Sequence, residues 1–397
     1  MDPLINPFRP GAGITPPELV GRQAEIDLVD LMVAHSRVRR NDGGLILYGL
    51  RGVGKTVLLL RLQHIVESAG WVTVQLEARP GEAGKLIARQ SLARGIAMAG
   101  RKMMRFRHAA EEVKTALSSV TSFSATIAGS GISLGVEPSP HRANSGLIEV
   151  DLEELVSDLA LPLRKNNSAF AIFIDEMQDL DPDLLTALLA VQHRAGQNDW
   201  PFYIIGAGLS TLRRTLAESR SYAERFTIRE VGALPPADAA IALSKPAEKF
   251  GAKFTPEALQ EILGAANGYP FFLQTYGKAV WELAPDRNID AEVAIAGIEE
   301  GNADLDQGFF PARWDRTTPL EREYLRQIVK LGGNTASTAA IAGALSKPAA
   351  SLSPVRQSLI EKGIIYPERR GYVSFTVPNM DAFIRRQNDN DEDDDAS

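Results

Sequence analysis

A chain of 397 residues, 44% hydrophobic and 23% charged, holds enough apolar material for two or three packed units. It has no cysteine and only five histidines, which excludes disulfides, thiolate nucleophiles and cysteine-ligated zinc and argues against a histidine metal site. The formal charge is −7, but six negatives come from Asp389, Asp391, Glu392, Asp393, Asp394 and Asp395, so the remaining chain is close to neutral and its charge neither favours nor forbids a nucleic-acid partner.

Residues 1–20, within MDPLINPFRPGAGITPPELVG, read as an extended arm whose Pro and Gly interrupt any apolar core. No later apolar run approaches the ~18 residues of a membrane span, so a soluble cytoplasmic protein with no membrane contact is expected. GRQAEIDLVDLMVAHSRVRR reads as a helix with Ile26, Val29 and Val33 on one face. GGLILYG is a buried strand, a glycine loop follows, and KTVLLLRLQHIVESAG is a helix closed by Gly70; WVTVQLEA repeats the strand signal. This is the rhythm of a parallel sheet with crossover helices. Residues 81–165 interrupt it with helix-like stretches and a TIAGSGISLG segment that alternates like a small hairpin, expected as an insertion packed beside the core.

AFAIFIDE and PFYIIGAG are two further buried strands, separated by the helix-like DPDLLTALLAVQHRAG, which completes a core over 21–232. Residues 233–300 turn all-helical and read as a lid, and 301–317 as a linker. From Thr318 a third unit (318–386) opens with a capping box, Thr318 with Glu321 and Pro319 at the first helical position. Three helical patterns are followed by IIYPERRGYVSFTV, two strands about a basic turn. Helix, helix, helix, hairpin is a winged helix. Residues 387–397 read as a solvated, disordered acidic tail.

The sharpest motif is Gly49-Leu50-Arg51-Gly52-Val53-Gly54-Lys55-Thr56, which satisfies G-x-x-x-x-G-K-[ST]. It follows a strand and opens a helix, where exposed amides and the positive helix end can meet a phosphate chain. Gly49, Arg51, Gly52, Val53, Gly54, Lys55, Thr56 and Val57 are the candidate nucleotide-binding set. Lys55 reaches the outer phosphates of ATP, and Thr56 is a ligand for Mg2+. FAIFIDEMQD ends an apolar strand in Asp175, placed as a second metal residue, and Glu176, placed to activate water. Ser210, the first hydroxyl after IIGAG, either senses phosphate or caps a helix. Arg225 in SYAERF is a candidate for the cation that stabilises phosphoryl transfer. Lys347, Arg356, Lys362, Arg369 and Arg370 lie on the third unit among Glu361 and Glu368, a modest footprint for duplex DNA, and such modules also bind protein.

The succession ELVGRQAEI, GLRGVGKT, FIDEMQDL, ERF, NGYPFFLQ and KGIIYPERRGYVSFTVP resembles the bacterial ATP-binding proteins related to archaeal origin-recognition initiators, within the AAA+ and STAND branches of P-loop ATPases, from about Pro7 to Arg386. The resemblance implies an α/β fold with a parallel sheet ordered 5-1-4-3-2, a helical lid that moves with the nucleotide, ATP with Mg2+ as cofactors, and Val20 with Arg22 beside the adenine. The chain departs from the initiators at Gly268-Tyr269-Pro270, which looks like the G-x-P of STAND ATPases and replaces a sensing arginine. Pro270 is therefore a candidate nucleotide neighbour. The STAND arginine at the strand end is replaced by IIGAG.

Together these readings point to an ATPase switch that couples ATP and ADP states to a winged helix, with self-assembly bringing Arg225 to a neighbouring copy. The alternative is a DNA-binding regulator whose nucleotide is structural. A small-molecule kinase fits less well, since Asp-Glu on the strand with a separate lid suits hydrolysis better than acceptor capture.

Overall fold

The computed structural model describes residues 1–11, 13–106, 110–128, 136–218 and 225–394, and the chain divides into two compact units. The first comprises Arg22–Gly49 and Lys55–Val231. In chain order it holds α1 (Gln23–Arg37), β1 (Leu45–Tyr48), α2 (Lys55–Ser68), β2 (Val72–Glu77), α3 (Gly81–Met103), α4 (Ala110–Ala128), α5 (Ile148–Lys165), β3 (Phe170–Asp175), α6 (Pro182–Gln197), β4 (Phe202–Gly208), α7 (Leu212–Glu218) and β5 (Thr227–Glu230). The strands form a parallel sheet in the order β2-β3-β4-β1-β5, which is 5-1-4-3-2 read from its other edge. Burial tracks that order. β3 and β4 are buried along their whole length, whereas the edge strands β2 and β5 expose polar residues, as strands covered on both faces and edge strands should.

Helices α3, α4 and α5 are the insertion, and they share one core with the sheet: Leu92, Ile96, Val120, Phe123, Leu155 and Leu159 cluster with Val74 and Ile172. The expected hairpin is corrected in part. Thr126–Ala128 lie in α4, because the polar alternation there sits on a helix whose buried face is Val113, Ala116, Leu117, Val120 and Phe123; residues 129–135 are outside the described set.

The second unit comprises Met1–Gly21, Leu50–Gly54 and Gly232–Ser397. It holds α8 (Pro236–Glu248), β6 (Lys253–Phe254), α9 (Pro256–Ala266), α10 (Pro270–Leu283), β7 (Asn288–Ile289), α11 (Ala291–Asp304), a π-helical turn over Leu305–Phe309, α12 (Pro311–Trp314), α13 (Pro319–Gly332), β8 (Thr335–Ser337), α14 (Thr338–Ala344), α15 (Ser353–Glu361), β9 (Ile365–Arg369), β10 (Tyr372–Phe375) and α16 (Met380–Asp394). The stretch expected to be all-helical also carries the small parallel pair β6-β7. After α13 the strands order β8-β10-β9, antiparallel throughout; β8 is too short, at three residues, to leave a sequence signal.

The segments read as an extended arm, a linker and a disordered tail carry structure among the described residues. The N-terminal arm docks on α10, with Phe8 buried against Gly277 and the Trp281 indole N–H donating to the Asp2 carbonyl at 3.0 Å. The linker 301–317 is built round an aromatic cluster in which Phe309 stacks on Phe271 and Phe310 on Phe383. The acidic tail is helical as far as Asp394, since nothing between Met380 and Asp394 is a Gly or Pro that would stop α16. No described helix is long and apolar enough to cross a membrane.

Candidate functional site

The candidate phosphate loop runs from the end of β1 into α2. Gly49 and the residues from Lys55 onward belong to the first unit, and Leu50–Gly54 to the second. Gly52 and Gly54 have φ of 82° and 89°, the left-handed region in which a side chain is strained. Two left-handed residues in three turn the chain sharply ahead of α2.

In the first unit, the β1 end is held by the Gly49 amide, which donates to the Gly208 carbonyl at 3.2 Å. Lys55 is buried, and its ammonium donates to the Gly49 carbonyl at 3.1 Å, so its charge is folded back on the loop. Thr56 Oγ1 donates to Asp175 Oδ2 at 2.7 Å. Asp175 ends β3, is 9% exposed, and accepts the Glu176 amide at 2.9 Å on its other oxygen. Burial pushes its carboxyl above the ordinary value, against the opposing pull of the Thr56 and Glu176 donors. Two hard oxygens, Thr56 Oγ1 and Asp175 Oδ2, are thus presented together at the carboxyl edge of the sheet. That fits Mg2+, which takes one or two protein oxygens and completes its shell with phosphate and water.

Glu176 has φ 49° and ψ 40°, a left-handed conformation unusual for a residue with a side chain. Its carboxylate accepts a hydrogen bond from Gln178 Nε2 at 2.8 Å, and Gln178 Oε1 accepts the Leu209 amide at 2.9 Å. Gln178 therefore ties the candidate water-activating carboxylate to the end of β4. Sequence reasoning missed it, because an amide two residues past an acid carries no pattern. The same geometry accounts for the small residues of IIGAG: a Cβ on Gly208 would stand 2.7 Å from Gln178 Oε1, and one on Gly206 would strike the Met177 sulfur. Ser210 lies two residues before α7, which begins at Leu212.

The structure does not bring Arg225 to this cluster. Arg225 is exposed and lies two residues before the start of β5, whose Thr227 pairs with Leu45 at the start of β1. All strands are parallel, so Arg225 lies at the amino edge and Lys55, Asp175 and Glu176 at the carboxyl edge. A four-residue strand sets these edges about 13 Å apart before loops are counted. At the amino edge its charge, after the larger effect of burial, helps lower the pKa of His193.

In the second unit, Pro270 opens α10 at its first position and its Cγ lies 3.9 Å from where a Cβ on Gly54 would be. Tyr269 and Phe271 stand equally close to Gly52, at 3.8 and 3.9 Å. Gly268-Tyr269-Pro270 thus packs on the glycines of the phosphate loop. The buried Tyr269 hydroxyl donates to the Thr376 carbonyl at 3.1 Å, just past β10, and burial raises its pKa to about 12. Of the two residues expected at the adenine, Val20 is half-buried in the second unit and Arg22 is buried in the first, at the N-cap of α1. Val53 is buried and Val57, in α2, half-buried.

With a strand-loop-helix phosphate motif and a Thr56–Asp175 pair in place, comparison with known proteins is informative. Residues 18–205 match the family model of the AAA ATPase domain. The matched stretch spans the phosphate loop, Thr56 and Asp175. Residues 307–384 match a second family, described as a domain of unknown function (DUF8462). No curated protein matches the chain. Among solved structures, the Walker-type ATPase of Pyrococcus abyssi is 17% identical with a TM-score of 0.60, over 96% of this chain and 99% of that one; at this identity the likeness is one of fold. Cdc6p of Pyrobaculum aerophilum (13% identity, 97% of both chains, TM-score 0.46) and the Aeropyrum pernix Orc1 protein, solved in complex with DNA (17%, 94% of both chains, 0.45), are also similar. The match over residues 18–205 makes ATP the expected ligand.

Proposed function

We propose that this chain is an ATP-hydrolysing molecular switch of STAND type, in which the state of the nucleotide is relayed to a C-terminal winged helix that engages a protein partner. The observation that carries the reading is the Thr56–Asp175 hydrogen bond beside Lys55, with Glu176 next in the chain. On binding, the Lys55 ammonium exchanges the Gly49 carbonyl for phosphate oxygen, and the amides of Gly52, Val53 and Gly54 face the phosphates. Thr56 and Asp175 hold Mg2+, which when bound screens charge on the phosphates. Glu176, fixed by Gln178, takes a proton from water as the water oxygen bonds to the terminal phosphorus and the bond to the bridging oxygen breaks. Arg22, at the N-cap of α1, is the residue of the first unit assigned to the adenine.

The winged-helix reading is supported by the order α13, β8, α14, α15, β9, β10 with its three-stranded antiparallel sheet. Relay is supported by Tyr269, which packs near Gly52 through its ring and bonds Thr376 through its hydroxyl. A duplex-DNA role has less support, because Lys362 is committed to an ion pair with Glu321 at 2.6 Å, leaving Lys347, Arg369 and Arg370 as the exposed cations of the original set.

Turnover and binding measured side by side test the mechanism. Lys55→Ala should lose ATP binding, whereas Glu176→Gln should bind ATP and cut turnover by about 10² or more. Equal turnover in wild type and Glu176→Gln would refute the assigned role.

A further inference from the structure

The lid lacks an arginine at its GYP turn, yet the second unit brings two half-buried arginines to the phosphate loop. One is Arg51, within the loop. The other is Arg313 of α12, held by an aromatic path that starts at the loop: Phe271 lies beside Gly52, Phe309 stacks on Phe271 with ring centroids 4.8 Å apart, and the Arg313 guanidinium lies 3.7 Å over the Phe309 ring. Its Nη1 donates to the Phe309 carbonyl at 2.6 Å, which fixes the plane of the group. The Nε atoms of both Arg51 and Arg313 are buried without a hydrogen-bond partner. Burial, and then the charges of Arg51 and Arg316, lower the Arg313 pKa to about 10.

Two like charges set near each other and partly out of water, each with a buried Nε that has no partner, repel unless an anion sits between them. A planar fork with free N–H groups suits phosphate oxygens. We propose that Arg313 is a phosphate-binding residue of the nucleotide site, acting with Arg51 on the polyphosphate chain held by the loop. The domain of unknown function over residues 307–384 thereby contributes directly to nucleotide binding, and occupancy of the loop is felt at α12. This inference rests on the nucleotide reading above and adds to it a residue that the G-K-T motif does not contain.

The test uses the full chain with Arg313→Met and Arg313→Lys, measuring melting temperature and the affinities for ATP, ADP and adenosine. Arg313→Met should melt higher than wild type without ligand, since a repelling charge is gone, and should bind ATP about tenfold more weakly or worse. Adenosine affinity should stay within about twofold, and Arg313→Lys should recover part of the loss. A loss for ATP alone assigns the contact to the terminal phosphate, and equal losses for ATP and ADP to the inner ones; either supports the proposal. A variant that melts lower and binds ATP as wild type does makes Arg313 a structural residue and overturns it. Lys55→Ala separates the two readings: if it abolishes ATP binding while Arg313→Met does not weaken it, only this inference falls, whereas a wild-type chain that binds no ATP removes both.

Discussion

At the scale of single residues, the candidate site turns on how Glu176 is held. A left-handed backbone aims the carboxylate, and one amide, Gln178, both donates to it and accepts from Leu209. Replacing Gln178 with Ala removes the brace and leaves the phosphate loop, Lys55 and Thr56 untouched. Such a change should appear in the chemical step: kcat is expected to fall about tenfold with ATP affinity unchanged. Steady-state kinetics paired with nucleotide titration would separate this from a general loss of folding, which would move both quantities. The small residues at the end of β4 belong to the same arrangement. From sequence they read only as a missing polar sensor; in three dimensions they are the space that Met177 and Gln178 occupy.

At the scale of elements, what could be read from sequence and what could not divides along a physical line. β1, β3 and β4 were legible because strands buried on both faces are continuous apolar runs, and Asp175 and Lys55 were legible because they terminate or follow such runs. Arg313 was not, because its significance lies in the stacked rings of Phe271 and Phe309, 38 residues apart in sequence, which no local pattern records. The α13 capping box shows how a legible motif can acquire a second role. Glu321 accepts the Thr318 amide as expected, but it also accepts Ser358 and Lys362 from α15 and the residue beyond it. Burial alone would raise its pKa; the Lys362, Ser358 and Thr318 donors outweigh that and bring it from 4.5 to about 2. A folded-state value below the unfolded one contributes stability that is complete above pH 4.5 and is lost as pH falls toward 2. Glu321→Gln should therefore destabilise the chain by about 1–3 kcal/mol at pH 7, less than a fully enclosed pair because the Lys362 side chain stays 24% exposed. The difference between variant and wild type should shrink steadily below pH 4.5; a gap independent of pH would contradict the ion-pair account.

At the scale of the whole molecule, Arg225 makes a prediction about assembly. Standing at the amino edge of its own sheet, it is proposed to act on phosphoryl transfer through another copy. Arg225→Ala should then bind ATP normally but turn over about 10³-fold or more slowly. Mixing it with Lys55→Ala, which binds no nucleotide, should restore activity, since one chain supplies the loop and the other the arginine. Two inactive proteins that stay inactive when mixed would exclude the arrangement.

Synthesis imposes an order of its own. The bond between Trp281 and Asp2 spans 279 residues, so at roughly 5–20 residues per second α10 leaves the ribosome about 14 to 56 s after the arm it holds. The last strand of the parallel sheet ends at Glu230, 51 residues before Trp281, so the sheet has about 3 to 10 s in which to form before that indole follows it. Leu50–Gly54 do not, because the Tyr269–Phe271 turn that packs on them has yet to be made. Translation thus sets the earliest moment at which the loop can have its full packing.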